Sequence, residues 1–549
     1  MSLSRHLRGF FTALMYSYRV MNYVVGSGPA GVACAVALLE QGKPVTMIDT
    51  GFTLEQANQQ KLDALAATPP AEWHGDRIAF LRGDMDAGVD GIPLKLAYGS
   101  GYPYTKPAGA ANVTCEGANT KPGYSLGGFS NVWGASLMPY RQQDMAGWPI
   151  AQADLEPHYR ALFRFMPVAA EHDGLDAAFP TYAPYHSPMP LSPQAQTLLR
   201  SLTARQDAVA RQHVLFGRSR LAVNAAQTPI GYDKPAGPCV ACGLCMYGCP
   251  YRLIYTTADT VGQLMRNSNV TYLPGYLVRS VEESADGVTL HALDAQAAPR
   301  TLNGDRVFLA GGVLSTTEIL LRSLKRFDQP VTLHDSQYFL LPMLRLGGVP
   351  GFRRDELHTL AQLFLEIVDP EVSPYAVHLQ TYTYNDLFEA PIRKMLGPLA
   401  ALFPWKSFLS RLYLFQGYIH SSQSAEMTAT LSGDTLAVRS SKNPETEVVL
   451  QRVIRKLLRL RRATGSLPLI PLMRRGEPGR GFHTGGSFPM QAQPDTNSSD
   501  IYGRPAGMRR VHAVDSTVLP SVPATTITFT VMANAHRIGS AIAQYEGQE

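Results

Sequence analysis

Nothing in this 549-residue sequence approaches the ~20 consecutive apolar residues that a membrane-spanning helix needs. The expected protein is therefore soluble and cytoplasmic, or peripheral to a membrane at most. Charge imbalance is slight: 49 Lys and Arg against 44 Asp and Glu leave a formal +5, so bulk charge does not suggest a nucleic-acid partner. Internal repeats and low-complexity tracts are missing. Cysteine is scarce, and four of the six (Cys239, Cys242, Cys245 and Cys249) fall within eleven residues, while Cys34 and Cys115 stand alone. A secreted disulfide scaffold would spread its cysteines, so this clustering reads as intracellular metal or redox chemistry. At the N-terminus, Arg5 and Arg8 bracket the approach to an apolar run over 9–18 that has no small-x-small cleavage site. Residues 1–20 are read as an uncleaved leader or a surface helix.

With 45% hydrophobic and 17% charged residues, the chain has an ordinary globular profile, long enough for two to four domains. Its first motif is specific. Tyr23-Val24-Val25 reads as a short buried strand, Gly26-Ser27-Gly28-Pro29-Ala30-Gly31 follows at once, and residues 32–39 read as a helix. This is G-x-G-x-x-G in a strand–turn–helix context. Gly26 permits the tight turn, Gly28 lets the backbone approach a pyrophosphate, and Gly31 allows close helix–strand packing. The helix N-terminus offers N–H groups and a positive dipole end to phosphate. A second strand over 44–48 ends at Asp49, 23 residues after Gly26, where an acid would hold ribose hydroxyls. The fingerprint predicts a dinucleotide site without separating FAD from NAD.

Further along, Ser125 to Gly134 is glycine-rich, fitted either to a flat ligand or to a plain turn. Residues 141–225, rich in Pro, Ala and Gln with a helical patch at 154–165, read as an insertion rather than sheet core. Val307 to Gly312 reads as a buried strand entering a glycine turn, with a helix over 316–322. Strands over 363–368, 375–384, 412–420 and 425–431 point to a largely antiparallel second sheet. Asn443-Pro444-Glu445 is a helix start; Val449, Val453, Leu457 and Leu460 form its apolar stripe, and Arg452, Arg455, Lys456, Arg459, Arg461 and Arg462 a basic face, read as solvated or as meeting an anionic surface. The apolar stretch 395–405 fits core, a lid over a pocket, or an interfacial membrane patch.

These segments, taken in order with the C-terminus, resemble the glucose–methanol–choline (GMC) family of FAD-dependent oxidoreductases. Gly127-Gly128-Phe129-Ser130 is similar to a flavin-contacting G-G-x-S segment, and Ala310-Gly311-Gly312-Val313-Leu314-Ser315-Thr316 to A-G-x-x-x-S-P, with Thr316 in the proline's place. His483-Thr484-Gly485-Gly486-Ser487-Phe488-Pro489-Met490 fits H-x-x-G-[TS]-x-x-M. Val514-Asp515-Ser516-Thr517-Val518-Leu519-Pro520 resembles V-D-x-S-x-x-P, and 528–538 a closing helix ending in A-x-R-I.

The resemblance implies a Rossmann-like α/β FAD-binding domain (21–140, 226–325 and 480–549, with 239–250 as a cysteine-rich loop) and a substrate domain on a mainly antiparallel sheet (141–225 and 326–479). Gly26, Gly28, Gly31, Asp49, Gly127, Gly128, Ser130, Asn131, Val278, Gly311 and Asp515 are the cofactor positions it carries over. It also implies oxidation of a CH–OH group in an alcohol or sugar (a sterol or other secondary-metabolite alcohol included), with His483 taking the hydroxyl proton and flavin the hydride; an imidazole with an ordinary pKa of ~6.5 suits that role. The second His or Asn of the family falls at Thr526, or at Thr525 if the register slips by one. A threonine hydroxyl donates a hydrogen bond but is no second base, so His420 or another polar group of the substrate domain is a further candidate. Val132 occupies the place of a flavin-linking histidine, which implies non-covalent FAD.

Cys239-x2-Cys242-x2-Cys245-x3-Cys249-Pro250 reproduces a bacterial ferredoxin spacing and predicts a [4Fe-4S] or [3Fe-4S] cluster, with Cys115 or Cys34 as a distant ligand; structural zinc and plain thiols or disulfides are the other readings. A cluster would pass electrons to a carrier protein or a quinone. Two other functions remain open at this point: a flavin-dependent reductase or isomerase of an unsaturated substrate, and a degenerate electron-transfer subunit.

Overall fold

The strand Asn22–Val25 is buried along its whole length because it lies in the middle of a parallel sheet covered on both faces. A computed structural model describes residues 21–83, 94–184, 186–227, 237–354 and 356–546; the leader or surface helix expected over 1–20 lies outside them. The sheet runs Val511–Ala513, Arg306–Leu309, Asn22–Val25, Val45–Asp49, Val270–Pro274, all parallel. The helix Pro29–Glu40 connects its first two strands. Against that helix packs the closing helix Ile527–Ser540. Gly539 allows the approach, since a Cβ there would stand 2.9 Å from the Cys34 carbonyl oxygen.

A seven-stranded antiparallel sheet faces this unit. Its order is Ser466–Pro468, Tyr338–Arg345, Leu412–Tyr418, Val377–Tyr382, Leu363–Ile367, Val214–Arg218, with Arg474–Arg475 pairing beside Tyr338–Arg345. Side chains alternate between its faces. Phe339, Leu341, Met343, Leu379 and Phe415 fill the back, covered by Ala195, Leu198 and Leu202 of the helix Pro193–Thr203 and by the apolar stripe of Pro444–Arg459. Asn443 caps the latter, its side chain accepting from the Glu445 N–H at 3.0 Å. Two expectations are corrected here. Residues 141–225 are not wholly an insertion, because Val214–Arg218 is a strand of this sheet. Lys456 is not on the solvated face: it is buried and ion-paired with Asp369, whereas Arg455, Arg459, Arg461 and Arg462 are exposed.

A third sheet joins the two units in the order Thr484–Gly485, Pro330–Asp335, Glu426–Ser432, Thr435–Ser441, Asn112–Glu116. Val331, Leu333, Met427 and Ala429 belong to the same hydrophobic core as Val24 and Val307, so 330–335 and 426–432 pack with the parallel sheet. Its edge pairing sets Thr484 opposite Asp335, which fixes the neighbouring His483. The architecture is a Rossmann-like α/β unit with a mainly antiparallel partner sheet, as expected. Among the described residues, no helix is long and apolar enough to cross a membrane.

Candidate active site

Between the parallel and antiparallel sheets lies a cavity of about 730 Å³ whose wall takes in both Gly26, Gly28 and Asp49 and the distant His483 and Thr526. The glycine loop is shaped by contact. A Cβ on Gly26, at φ +104°, would sit 2.4 Å from the Ala310 carbonyl oxygen, and one on Gly31 would collide with the Gly26 oxygen. Gly28 faces Gly128, whose own Cβ would stand 3.2 Å from the Gly28 Cα. Ser27 fastens this loop: its hydroxyl bonds Asp49 and accepts from the Gly127 N–H at 2.9 Å. Burial raises the Asp49 carboxyl to about 6, with hydrogen bonds from Ser27, Gly51 and Thr50 opposing the rise. It is ionised at pH 7 and can accept from a diol.

Of the expected cofactor positions, Gly26, Gly28, Asp49, Gly128, Ser130, Val278, Gly311 and Asp515 line the cavity. Gly31, Gly127 and Asn131 are not among the lining residues, and the reason is structural. Gly31 closes the helix onto the strand. Gly127, at φ +85°, would press a Cβ to 2.9 Å from the Ala258 nitrogen. Asn131 holds the loop from within, donating to Leu126 and Gly128 carbonyls at 2.8 and 2.9 Å. The donor set suits an anionic dinucleotide. No side chain caps the helix Pro29–Glu40, which leaves its first N–H groups for a ligand, and Lys95, Lys121, Arg474 and Arg480 outnumber Asp49 and Asp515 on the cavity wall.

His483 is half-buried, and desolvation, with the nearby His378 adding to it, lowers its imidazole to about 3. Its Nδ1 finds no hydrogen-bond partner. The ring stacks on Tyr418 at 4.7 Å between centroids. The backbone around it is pinned by buried Asp335, which accepts from the Gly479 N–H at 2.9 Å and the Thr484 hydroxyl at 3.0 Å, and by the Ser336 N–H donating to the His483 carbonyl at 3.0 Å. Thr526 lines the cavity and accepts from the Met138 N–H at 3.1 Å, so its own proton is available to a ligand. Thr525 is fully buried and is not among the lining residues. His420 is not brought to the site: it stacks on Tyr375 at 3.7 Å, and its Nε2 lies 3.2 Å from the Asp144 carbonyl oxygen.

What the antiparallel sheet presents instead was not read from sequence. Gln380, Tyr382, Gln416 and Tyr418 face the cavity. Behind them a buried relay runs from Glu366 to His378 Nδ1 at 2.5 Å, from His378 Nε2 to the Gln380 amide at 3.2 Å, and from the Tyr382 hydroxyl to the Gln380 oxygen at 2.8 Å. The signal lay in the strands: polar residues at 378, 380 and 382, and at 416 and 418, keep a period of two within otherwise apolar runs.

A search of protein-family models finds no match to the chain, and a search of curated proteins finds none either. Solved structures do match. Pyridoxine 4-oxidase from Mesorbium loti aligns with a TM-score of 0.58 at 14% identity, covering 96% of this chain and 100% of its own. Formate oxidase aligns with a TM-score of 0.60 at 13% identity, covering 96% and 99%. The chain has the GMC oxidoreductase fold.

One departure from the GMC pattern acquires a physical account within that fold. Thr316, in the proline's place, donates to Asp515 at 2.5 Å, a bond proline could not make; Asp515 also accepts from the Gly312 and Thr517 N–H groups at 2.8 and 2.9 Å. The iron–sulfur cluster expected from the spacing of the cysteine run is not supported by the structure, although Cys245 acts electrostatically on Cys239, Cys242 and Cys249, so that the four thiols share one neighbourhood. Among the described residues no three His, Cys, Asp or Glu side chains converge to hold a metal. Cys242 packs with Leu244 and Tyr247, while Cys245 and Cys249 pack against the core of the parallel sheet. Burial, with the neighbouring Cys245, raises the Cys242 and Cys249 thiols to about 12. Cys34 is buried in the helix Pro29–Glu40, and Cys115, on an edge strand, contacts the Thr120 oxygen.

Proposed function

We propose that the protein is an FAD-dependent oxidoreductase that converts a CH–OH group to a carbonyl. The observation that carries this reading is the single cavity that joins the Gly26–Gly28–Asp49 end to His483 and Thr526. FAD held non-covalently along Gly26, Gly28, Asp49, Gly128, Gly311 and Asp515 would supply the acceptor for the substrate hydride. The chain's own groups handle the proton. His483 accepts it from the hydroxyl, and the stacked Tyr418 ring holds the orientation of the imidazole. Thr526 donates to the substrate oxygen. Tyr382 and Gln380, oriented through His378 and Glu366, hold the remaining polar groups of the substrate.

The test is spectroscopic. The purified protein is expected to show flavin bands that a reactive alcohol bleaches in the absence of air. His483→Ala is expected to keep the flavin and slow bleaching by about 10²–10⁴-fold. A protein that neither contains nor takes up FAD overturns the cofactor assignment; bleaching at the wild-type rate in His483→Ala overturns the base.

A further inference from the structure

The two most exposed large apolar side chains among the described residues are Leu402 at 87% and Leu399 at 67%, with Met395 at 59% close behind in the same segment. This segment comprises the helix Glu389–Leu396, a 3-10 turn over Gly397–Leu402 and the helix Trp405–Arg411. It is a folded wall rather than a loose loop. Trp405, Phe408, Leu409 and Ile392 pack with Leu357 and Leu412 beneath it, the Arg393 guanidinium lies 4.2 Å over the Trp405 ring, and the indole N–H donates to the Ala400 carbonyl at 2.8 Å. Leu469 joins the same cluster and brings up the neighbouring Ile470, itself 45% exposed.

Charge around the patch has one sign to spare. Lys394 and Lys406 are exposed and have no acidic partner among the described residues, and Arg474 is exposed on the cavity rim. The acids nearby are already engaged: Glu389 with Arg354 and Arg393, Asp386 with Arg82. Exposed leucines, an interfacial tryptophan and unpaired lysines are the composition of a segment that lies in the headgroup region of an anionic bilayer.

The patch is also continuous with the cavity. Ile392, Met395 and Phe408 line it, so the exposed surface and the cavity mouth are one apolar face. From there the wall changes along a single strand. The cavity face of Leu412–Tyr418 reads Leu412, Leu414, Gln416, Tyr418, ending against His483 roughly 20 Å from its start. The strands on either side keep step: Pro342 and Tyr382 pair with Leu414, and Leu340 and Gln380 with Gln416.

We propose that 389–411, with Ile470, is a membrane-docking surface that admits an amphipathic alcohol, a hydroxyl-bearing polar head on a hydrocarbon chain, from an anionic bilayer into the cavity head first. The substrate half of this proposal rests on the alcohol-oxidising reading; the docking half does not. A protein partner or a second copy seated on the patch would cover the mouth, whereas a bilayer continues the apolar wall into hydrocarbon.

The test uses the full chain and vesicles of phosphatidylcholine with and without phosphatidylglycerol. Co-sedimentation is expected with the anionic vesicles, weakened about tenfold or more by Leu399→Asp with Leu402→Asp, by Lys394→Glu with Lys406→Glu, and by high salt. A far-ultraviolet circular dichroism spectrum and urea midpoint equal to wild type show that these variants fold. No binding to anionic vesicles overturns the docking surface. So does concentration-dependent self-association that the double leucine variant abolishes while vesicle binding is absent. Tighter perturbation of the flavin spectrum by dodecyl glucoside than by methyl glucoside supports the amphipathic substrate, and equal perturbation overturns it. Because sedimentation needs no flavin and no turnover, failure of the alcohol-oxidising reading would be seen separately.

Discussion

At the scale of single residues, the site depends on groups that are dry and incompletely paired. His483 keeps a buried Nδ1 without a partner, and Thr526 keeps a free proton; Asp335 pins the backbone beside the first, and the Met138 N–H occupies the oxygen of the second. Thr526→Val removes both the cavity donor and the acceptor for Met138 without changing shape. It is expected to slow flavin reduction by about tenfold to a hundredfold, the loss of a hydrogen bond worth ~1–3 kcal/mol, with the flavin still bound. Rapid-mixing measurement of bleaching checks this. An unchanged rate would mean that the Thr526 hydroxyl serves only as the acceptor for the Met138 N–H.

At the scale of elements, the antiparallel sheet has two jobs divided by its two faces. One face is cavity wall; the other is held by the helix Pro444–Arg459. That helix carries the buried Lys456–Asp369 pair, and breaking it leaves an uncompensated charge. Lys456→Ala is expected to cost about 3 kcal/mol by urea denaturation. Adding Asp369→Ala is expected to return part of the loss, because the stranded carboxylate is then gone. A double variant less stable than the single one would assign the effect to packing of the lysine stem instead.

At the scale of the whole molecule, buried titratable groups govern how stability varies with pH. Burial lowers His358 and His420 to about 4 and His483 and His512 to about 3. Unfolded histidine titrates near ~6.5, so between these values the unfolded chain binds protons that the folded chain refuses. The stability concerned is full above pH ~6.5 and is lost as pH falls towards 4, about 2 kcal/mol for each histidine at pH 5. Asp49 and Asp335, raised to about 6, act in the opposite sense and return about 1 kcal/mol each over the same interval. The histidines outweigh them. The urea midpoint is expected to be lower at pH 5 than at pH 7; a midpoint that rises on acidification would mean that water reaches those imidazoles.

The sequence by itself determined the parts whose physics is local. Glycine spacing marked the turn at Gly26–Gly31 because no other residue tolerates that backbone contact, alternation and β-branching marked the strands, Asn443 marked a helix start, and ordered motifs brought His483 and Asp515 forward as site residues. Tertiary structure decided what depends on which segments meet. Only packing could show that Asp335 anchors His483, that Gln380 and Tyr382 are held by a buried Glu366–His378 pair, and that Asn131 and Gly127 serve the loop instead of the cavity. The cysteine run is the sharpest case. Spacing along the chain set four thiols within one loop, but their packing partners, Leu244 and Tyr247 for Cys242 and the core of the parallel sheet for Cys245 and Cys249, are fixed by the backbone path, which no spacing rule contains.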